Sequence, residues 1–184
     1  MPLSNEEKIW LLDEVVSTAF ASWLIYLEGH EKFADRSEEE QTRPEHNGYT
    51  TLKALLSHSL MAACYALVDT RKNSYSMHHA VKDRDLIVTR VAEQACEKCC
   101  DLRRKIATYR NNVTAHVNST RTQADWAQYA DIKNGEISDF LQNARTCIEE
   151  LGRANLHKDF VPSSRMQFRS DFRAFCRVIV GQDE

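Results

Sequence analysis

Breakers are scarce in this chain, which carries five glycines and three prolines in 184 residues. A fold with many tight turns between strands needs more of both, so the long uninterrupted stretches favour helices. A strong charge of either sign is also missing, the formal net charge being -3. Bulk electrostatics therefore do not draw the chain to a polyanion, and any anion site has to come from local clustering. No run approaches the roughly 20 apolar residues of a membrane span. Met1 to Glu7 has neither the basic start nor the apolar core of a secretion signal. Six cysteines without such a signal fit reduced thiols better than a disulfide framework. The expectation is a cytoplasmic protein with no membrane contact.

What is present is helical periodicity. Ile9, Leu12, Val16, Phe20, Trp23 and Leu27 make one apolar stripe over a first helix, 5–27. Ser4 or Asn5 caps it, and Glu6 and Glu7 suit its first turn. The polar stretch 28–49, with its acidic run Ser37-Glu38-Glu39-Glu40-Gln41 and Pro44, reads as a solvated connection. A second helix, 50–70, buries Leu52, Leu55, Leu56, Ser59, Leu60, Ala63 and Leu67, with His58 and Asp69 at the flanks. After a turn at 71–74, a short helix over 75–82 carries His78 and His79.

The third long helix, 83–113, sets Val88, Val91, Ala95, Cys99, Leu102, Ile106, Tyr109 and Val113 on a near-heptad stripe. That pattern suits a central bundle helix, or one that pairs with a second subunit. A polar break at 116–120 and a helical turn at 125–129 follow. Asn134-Gly135 reads as a stop signal, after which a helix over 136–155 presents Ile137, Phe140, Leu141, Ala144, Ile148 and Leu151. Pro162-Ser163-Ser164 interrupts the chain before a last helix, 164–180, with Phe168, Phe172, Phe175 and Ile179 as its stripe. The fold expected is all-α, with a four-helix-bundle-like domain over 1–160 and a C-terminal helix, 161–184, packed on or extending it.

Few residues offer chemistry. Cys96, Cys99 and Cys100 look like part of a metal motif, but a structural zinc site needs four ligands and no second Cys-x-x-Cys exists. They read as small core hydrophobes. His78 and His79 are adjacent and so point about 100° apart on a helix, which does not converge on one metal. Arg165, Arg169, Arg173 and Arg177 form a basic ridge, either a solvated helix face or a second phosphate contact.

The segment Tyr109-Arg110-Asn111-Asn112-Val113-Thr114-Ala115-His116 is different. It closes the central helix and brings an arginine, amides and a histidine within two turns. Cations at a helix C-terminus are common because they suit the macrodipole. The same set also meets the needs of RNA cleavage without metal. A histidine moves protons near neutral pH. A guanidinium, always charged and forked, holds phosphate oxygens as negative charge gathers there. Asn111 and Asn112 can orient base or phosphate by hydrogen bonds. The clustered carboxylates of a magnesium-dependent nuclease are missing from the segment, and neither metal nor cofactor is expected. On a straight helix, six positions leave Arg110 and His116 about 120° apart and about 9 Å displaced along the axis. A bend after Val113, a long reach by Arg110, or a site shared between two subunits would bring them together.

Arg110-Asn111-Asn112-Val113-Thr114-Ala115-His116 resembles the signature of the HEPN superfamily, an Arg followed by a polar residue and then a His after a gap of four to six. The order of helices over 5–157 is similar as well, most closely around 102–118. The branch it resembles is the bacterial one associated with abortive phage infection and toxin-antitoxin systems. In that branch an Arg-Asp/Asn segment leads to Ala-His-x-Asp; here Ala115-His116-Val117-Asn118 carries Asn at the last position. The resemblance implies an all-α homodimer joined through the motif helices, with metal-independent endoribonuclease activity leaving a 2′,3′-cyclic phosphate. It implies that Arg110 stabilises the transition state, His116 transfers a proton and Asn111 supports them. It further implies a cognate antitoxin or nucleotidyltransferase as partner. The alternative it allows is a noncatalytic dimeric helical scaffold or partner-binding module, since some members do not cut RNA.

Overall fold

The computed structural model describes residues 3–33, 44–110 and 132–163. Five helices carry them: α1 (Asn5–Phe33), α2 (Pro44–Val68), α3 (Met77–Ala80), α4 (Arg90–Tyr109) and α5 (Asn134–Asn155). No strand occurs among the described residues, so the all-α expectation is met. The four long helices pack as a ring of neighbours, α1 on α2, α2 on α4, α4 on α5 and α5 back on α1, with α3 bridging α2 and α5.

The α1 and α5 stripes are buried as their spacing predicts. Ile9, Leu12, Val16, Phe20 and Trp23 meet Ile137, Phe140, Leu141, Ala144, Ile148 and Leu151 in one apolar cluster. Burying such side chains stabilises by about 1.5–3 kcal/mol each before chain entropy is counted. The α2 and α4 stripes are buried as expected at Leu56, Leu60, Ala63 and Leu67 and at Ala95, Cys99, Leu102 and Ile106, and depart from expectation only at their edges. On α2 the buried set is Leu56, Leu60, Met61, Ala63, Cys64, Leu67 and Val68, while Leu55 is 61% exposed and Ser59 is exposed. On α4 it is Ala92, Ala95, Cys96, Cys99, Leu102 and Ile106, with Val91 outside at 48% exposure.

Helix ends depart further from the sequence reading. Much of the supposed connection 28–49 is helical, since α1 runs on to Phe33 and α2 opens at Pro44. Proline suits a first helical position, where its missing N–H would have no partner anyway. The central helix opens at Arg90, seven residues later than its expected start at Asp83. Thr89 is its cap, the hydroxyl accepting from Ala92 N–H at 3.1 Å. Before it, Asn155 satisfies both backbone groups of Ile87, accepting from its N–H and donating to its C=O at 2.8 Å. Asn134-Gly135 does not stop a helix but starts one. Initial N–H groups lack intrahelical partners, and the Glu136 carboxylate reaches back to the Lys133 N–H at 2.8 Å.

The expectation that no run approaches a membrane span needs correction. Asn5–Glu28 and Thr51–Val68 are each long and apolar enough to cross a membrane by length and composition. Here the two helices pack on each other, and α1 buries Asp13 within that stretch. The Asp13 carboxylate accepts from the Ser163 N–H at 3.1 Å, tying the segment after α5 to α1. The expected helix 164–180, its arginine ridge and the turn at 125–129 lie outside the described residues.

Asp83 anchors the loop ahead of α4. It takes Lys8 at 2.8 Å, the Tyr75 hydroxyl at 3.3 Å and the Asp85 N–H at 3.1 Å. Bonding from Lys8 is the main reason its carboxyl sits below the ordinary 3.8, against the opposing effect of burial. Its contribution to stability is therefore present above pH 3.8 and lost as pH falls through the lower folded value. Asp83→Asn should lower the unfolding free energy near neutrality by about 1–3 kcal/mol. The gap to the wild type should close in acid, as measured by urea unfolding across pH.

Candidate functional site

Arg110 is the one member of the expected trio that the structure describes; Asn111 and His116 lie outside the described residues. Arg110 caps α4 with helical backbone angles, and its N–H bonds to the carbonyls of Ile106 and Ala107. The helical path therefore runs through Arg110 itself. Its guanidinium lies 5.0 Å from the Tyr65 ring centroid, a cation–π seat worth about 0.5–1 kcal/mol at a part-exposed site. Arg71 approaches the same ring at 5.7 Å. Arg103 donates to the Thr70 hydroxyl at 2.6 Å, so a third guanidinium sits at this end of α2. Local clustering thus concentrates positive charge in a chain whose net charge is -3.

Asp69 is the acid that pairs with Arg71. Asp69 is buried, accepts from the Arg71 N–H at 3.0 Å and from its side chain at 2.8 Å, and is ion-paired with it. Burial raises the Asp69 carboxyl most strongly, yet the bonds and charge of Arg71 together outweigh it and hold the group below its ordinary value. Asp69 is a satisfied buried acid. The same pairing keeps Arg71 oriented over Tyr65.

A crevice of about 160 Å³ lies where α1, α2, α4 and α5 meet, lined by Tyr109, the residue before Arg110. Trp23 and Tyr26 come from α1, Ser57 and Met61 from α2, Tyr109 from α4 and Asn134 from α5. Trp23 and Tyr26 stack at 5.5 Å with 10° between planes. The Lys53 ammonium lies 5.4 Å from the Tyr26 ring centroid. Burial first, and the nearby Tyr26 second, push the Tyr109 phenol above its ordinary value, so it stays protonated near neutrality. Sequence reading placed Tyr109 on the core stripe and did not single out Tyr26 or Tyr65. Tyr26 has its stacking partner Trp23 three residues away on α1, a spacing the sequence shows, whereas Tyr65 acquires Arg110 from another helix.

The remaining candidates have structural duties. Cys64, Cys96, Cys99 and Cys147 are buried and Cys100 is half-buried, all with free thiols. Cys99 donates to the Phe140 carbonyl at 3.5 Å. Burial pushes the Cys64 and Cys99 thiols far up, which keeps them protonated and poor nucleophiles. Among the described residues, no three His, Cys, Asp or Glu side chains are grouped to hold a metal ion. His79 pairs with the Ser76 hydroxyl at 2.9 Å, and His78 with Lys82 at 3.0 Å. Burial, then Lys82, then His79 depress His78, which favours its neutral acceptor form. His58 is exposed on α2. No family model, curated protein or solved structure matches this chain.

Proposed function

We propose that the chain is a metal-independent endoribonuclease of HEPN type, a toxin or phage-defence protein working as a cytoplasmic homodimer. The observation that carries the reading is the position of Arg110. It stands at the end of the central helix, oriented on Tyr65 and accompanied by Arg71 and Arg103, as the first residue of an Arg…His motif. In this mechanism the ribose 2′-oxygen attacks phosphorus and gives up its proton. The 5′-oxygen leaves as an alcohol after gaining one. The products are a 2′,3′-cyclic phosphate and a 5′-hydroxyl end. Arg110 stabilises the charge on the phosphate, His116 carries a proton and Asn111 orients the group in flight.

The pair is not prearranged on one straight helix, which is why a second protomer belongs to the proposal. The apolar stripe of α4 is buried inside the protomer, so the contact falls on its outward face, where Val91 stands in line with Gln94, Lys98, Asp101 and Lys105. A cognate antitoxin or nucleotidyltransferase would act on the same assembly. The test is incubation of the purified protein with total cellular RNA in EDTA, followed by analysis of the ends. Cleavage with 2′,3′-cyclic phosphate ends is the expected outcome. Intact RNA from a dimeric protein would favour the noncatalytic scaffold.

A further inference from the structure

We propose that the crevice between Trp23, Tyr26 and Tyr109 is a nucleobase-binding subsite, which stacks one base of a single strand beside the phosphate held at Arg110. The inference rests on the nuclease reading and adds to it how the substrate is held. Size is the first argument. The crevice measures about 160 Å³, close to the ~150 Å³ cavity that admits a benzene ring in an engineered protein. It suits a flat ring entered edge-first and is too small for a helix or a folded partner.

Composition is the second argument. Three aromatic side chains line it, two of them stacked, and base–aromatic stacking is tolerant of sequence because every base has a π-face. Ser57 and the Asn134 amide supply hydrogen-bonding groups at the wall. Among the described residues no acidic side chain lines it, and the Lys53 ammonium lies 5.4 Å from the ring of Tyr26. The larger surface groove beside α4 is the contrast. It is lined by Glu93, Glu97 and Asp101 together with Lys82, Lys98 and His78, a mixed-charge set with no Phe, Tyr or Trp to stack on a base.

Position is the third argument. Tyr109 lines the crevice and Arg110 follows it in the chain. Tyr65, which seats Arg110, lies one turn beyond Met61 on α2. Base and phosphate of one nucleotide, or of neighbours, would thus be held by adjacent residues of one helix.

The probe is a single-stranded deoxyribonucleotide oligomer, which lacks the 2′-OH and cannot be cut by this chemistry. A matched abasic oligomer keeps the phosphates and removes the bases. Binding is read by fluorescence anisotropy at fixed low salt. The expected result is tighter binding of the base-bearing oligomer. Tyr26→Leu and Tyr109→Leu, apolar replacements that keep the crevice walls filled, should each weaken that binding roughly 5- to 150-fold and leave the abasic oligomer unaffected. Thermal melting of both variants separates a lost stack from a lost fold. Should a variant melt early, Ser57→Ala, a small change at the crevice wall, replaces it and should weaken binding of the base-bearing oligomer alone. Equal binding of the two oligomers by the wild type overturns the subsite. So does unchanged affinity in folded variants, even where RNA is still cleaved. Base-dependent binding by a protein that cuts no RNA would sink the nuclease reading and keep the subsite.

Discussion

His116→Ala will lower RNA cleavage in EDTA by at least about 10²-fold, the lower end of what a positioned proton-transfer group contributes. The protein should keep its size in gel filtration, because the substitution removes an imidazole and not a helix face. Arg110→Ala should cost about 10²- to 10³-fold in kcat, the usual effect of deleting one preorganised donor to a developing oxyanion. Arg110→Lys should recover little, since an ammonium keeps the charge but not the planar fork. Loss of the part-exposed cation–π contact with Tyr65 should by itself shift the melting temperature of either Arg110 variant by no more than a few degrees. Undiminished cleavage by His116→Ala would remove the catalytic assignment. A large loss of stability in Arg110→Ala would turn that residue into a structural one.

The largest effect on stability should come from Phe160→Ala. Phe160 is 1% exposed although it lies beyond the last long helix. Its ring occupies the space over Gly152 where any other residue would carry a Cβ, and Trp10 meets it edge-on at 5.5 Å and 61°. Truncation empties a slot between α1 and α5 and should destabilise by about 3–5 kcal/mol. For a chain of this length, that is about 6–20 °C in melting temperature. Gly152→Ala drives a methyl group into the same ring and should cost about 1–3 kcal/mol or more. The double variant tests the geometry: with the ring gone the methyl has room, so the two losses should add to less than their sum. Strict additivity would mean that the ring and the glycine do not share that space.

The stripes of α1 and α5 were legible because few breakers interrupt them and their apolar residues face one packed neighbourhood. Helix ends were harder, since the same residue types open and close helices. Pro44 and Asn134-Gly135 were read as interruptions, and each begins a helix. Leu55 and Val91 were placed inside because periodicity fixes a direction along the helix but not the width of the face that neighbours cover. The local motif singles out Arg110 as a candidate. Its seat was not legible, since Tyr65 comes from another helix 45 positions earlier and only packing of α2 against α4 unites them. The crevice was hidden for the same reason, being assembled from four helices.

The most direct test of the shared site is a mixing experiment. Arg110→Ala and His116→Ala protomers, each inactive alone, are unfolded together, refolded and assayed on RNA in EDTA. If the guanidinium of one protomer works with the imidazole of its partner, a mixed dimer retains one intact combination, and cleavage should return well above either parent. If the mixture forms mixed dimers and stays as inactive as its parents, the composite site proposed for this protein is contradicted.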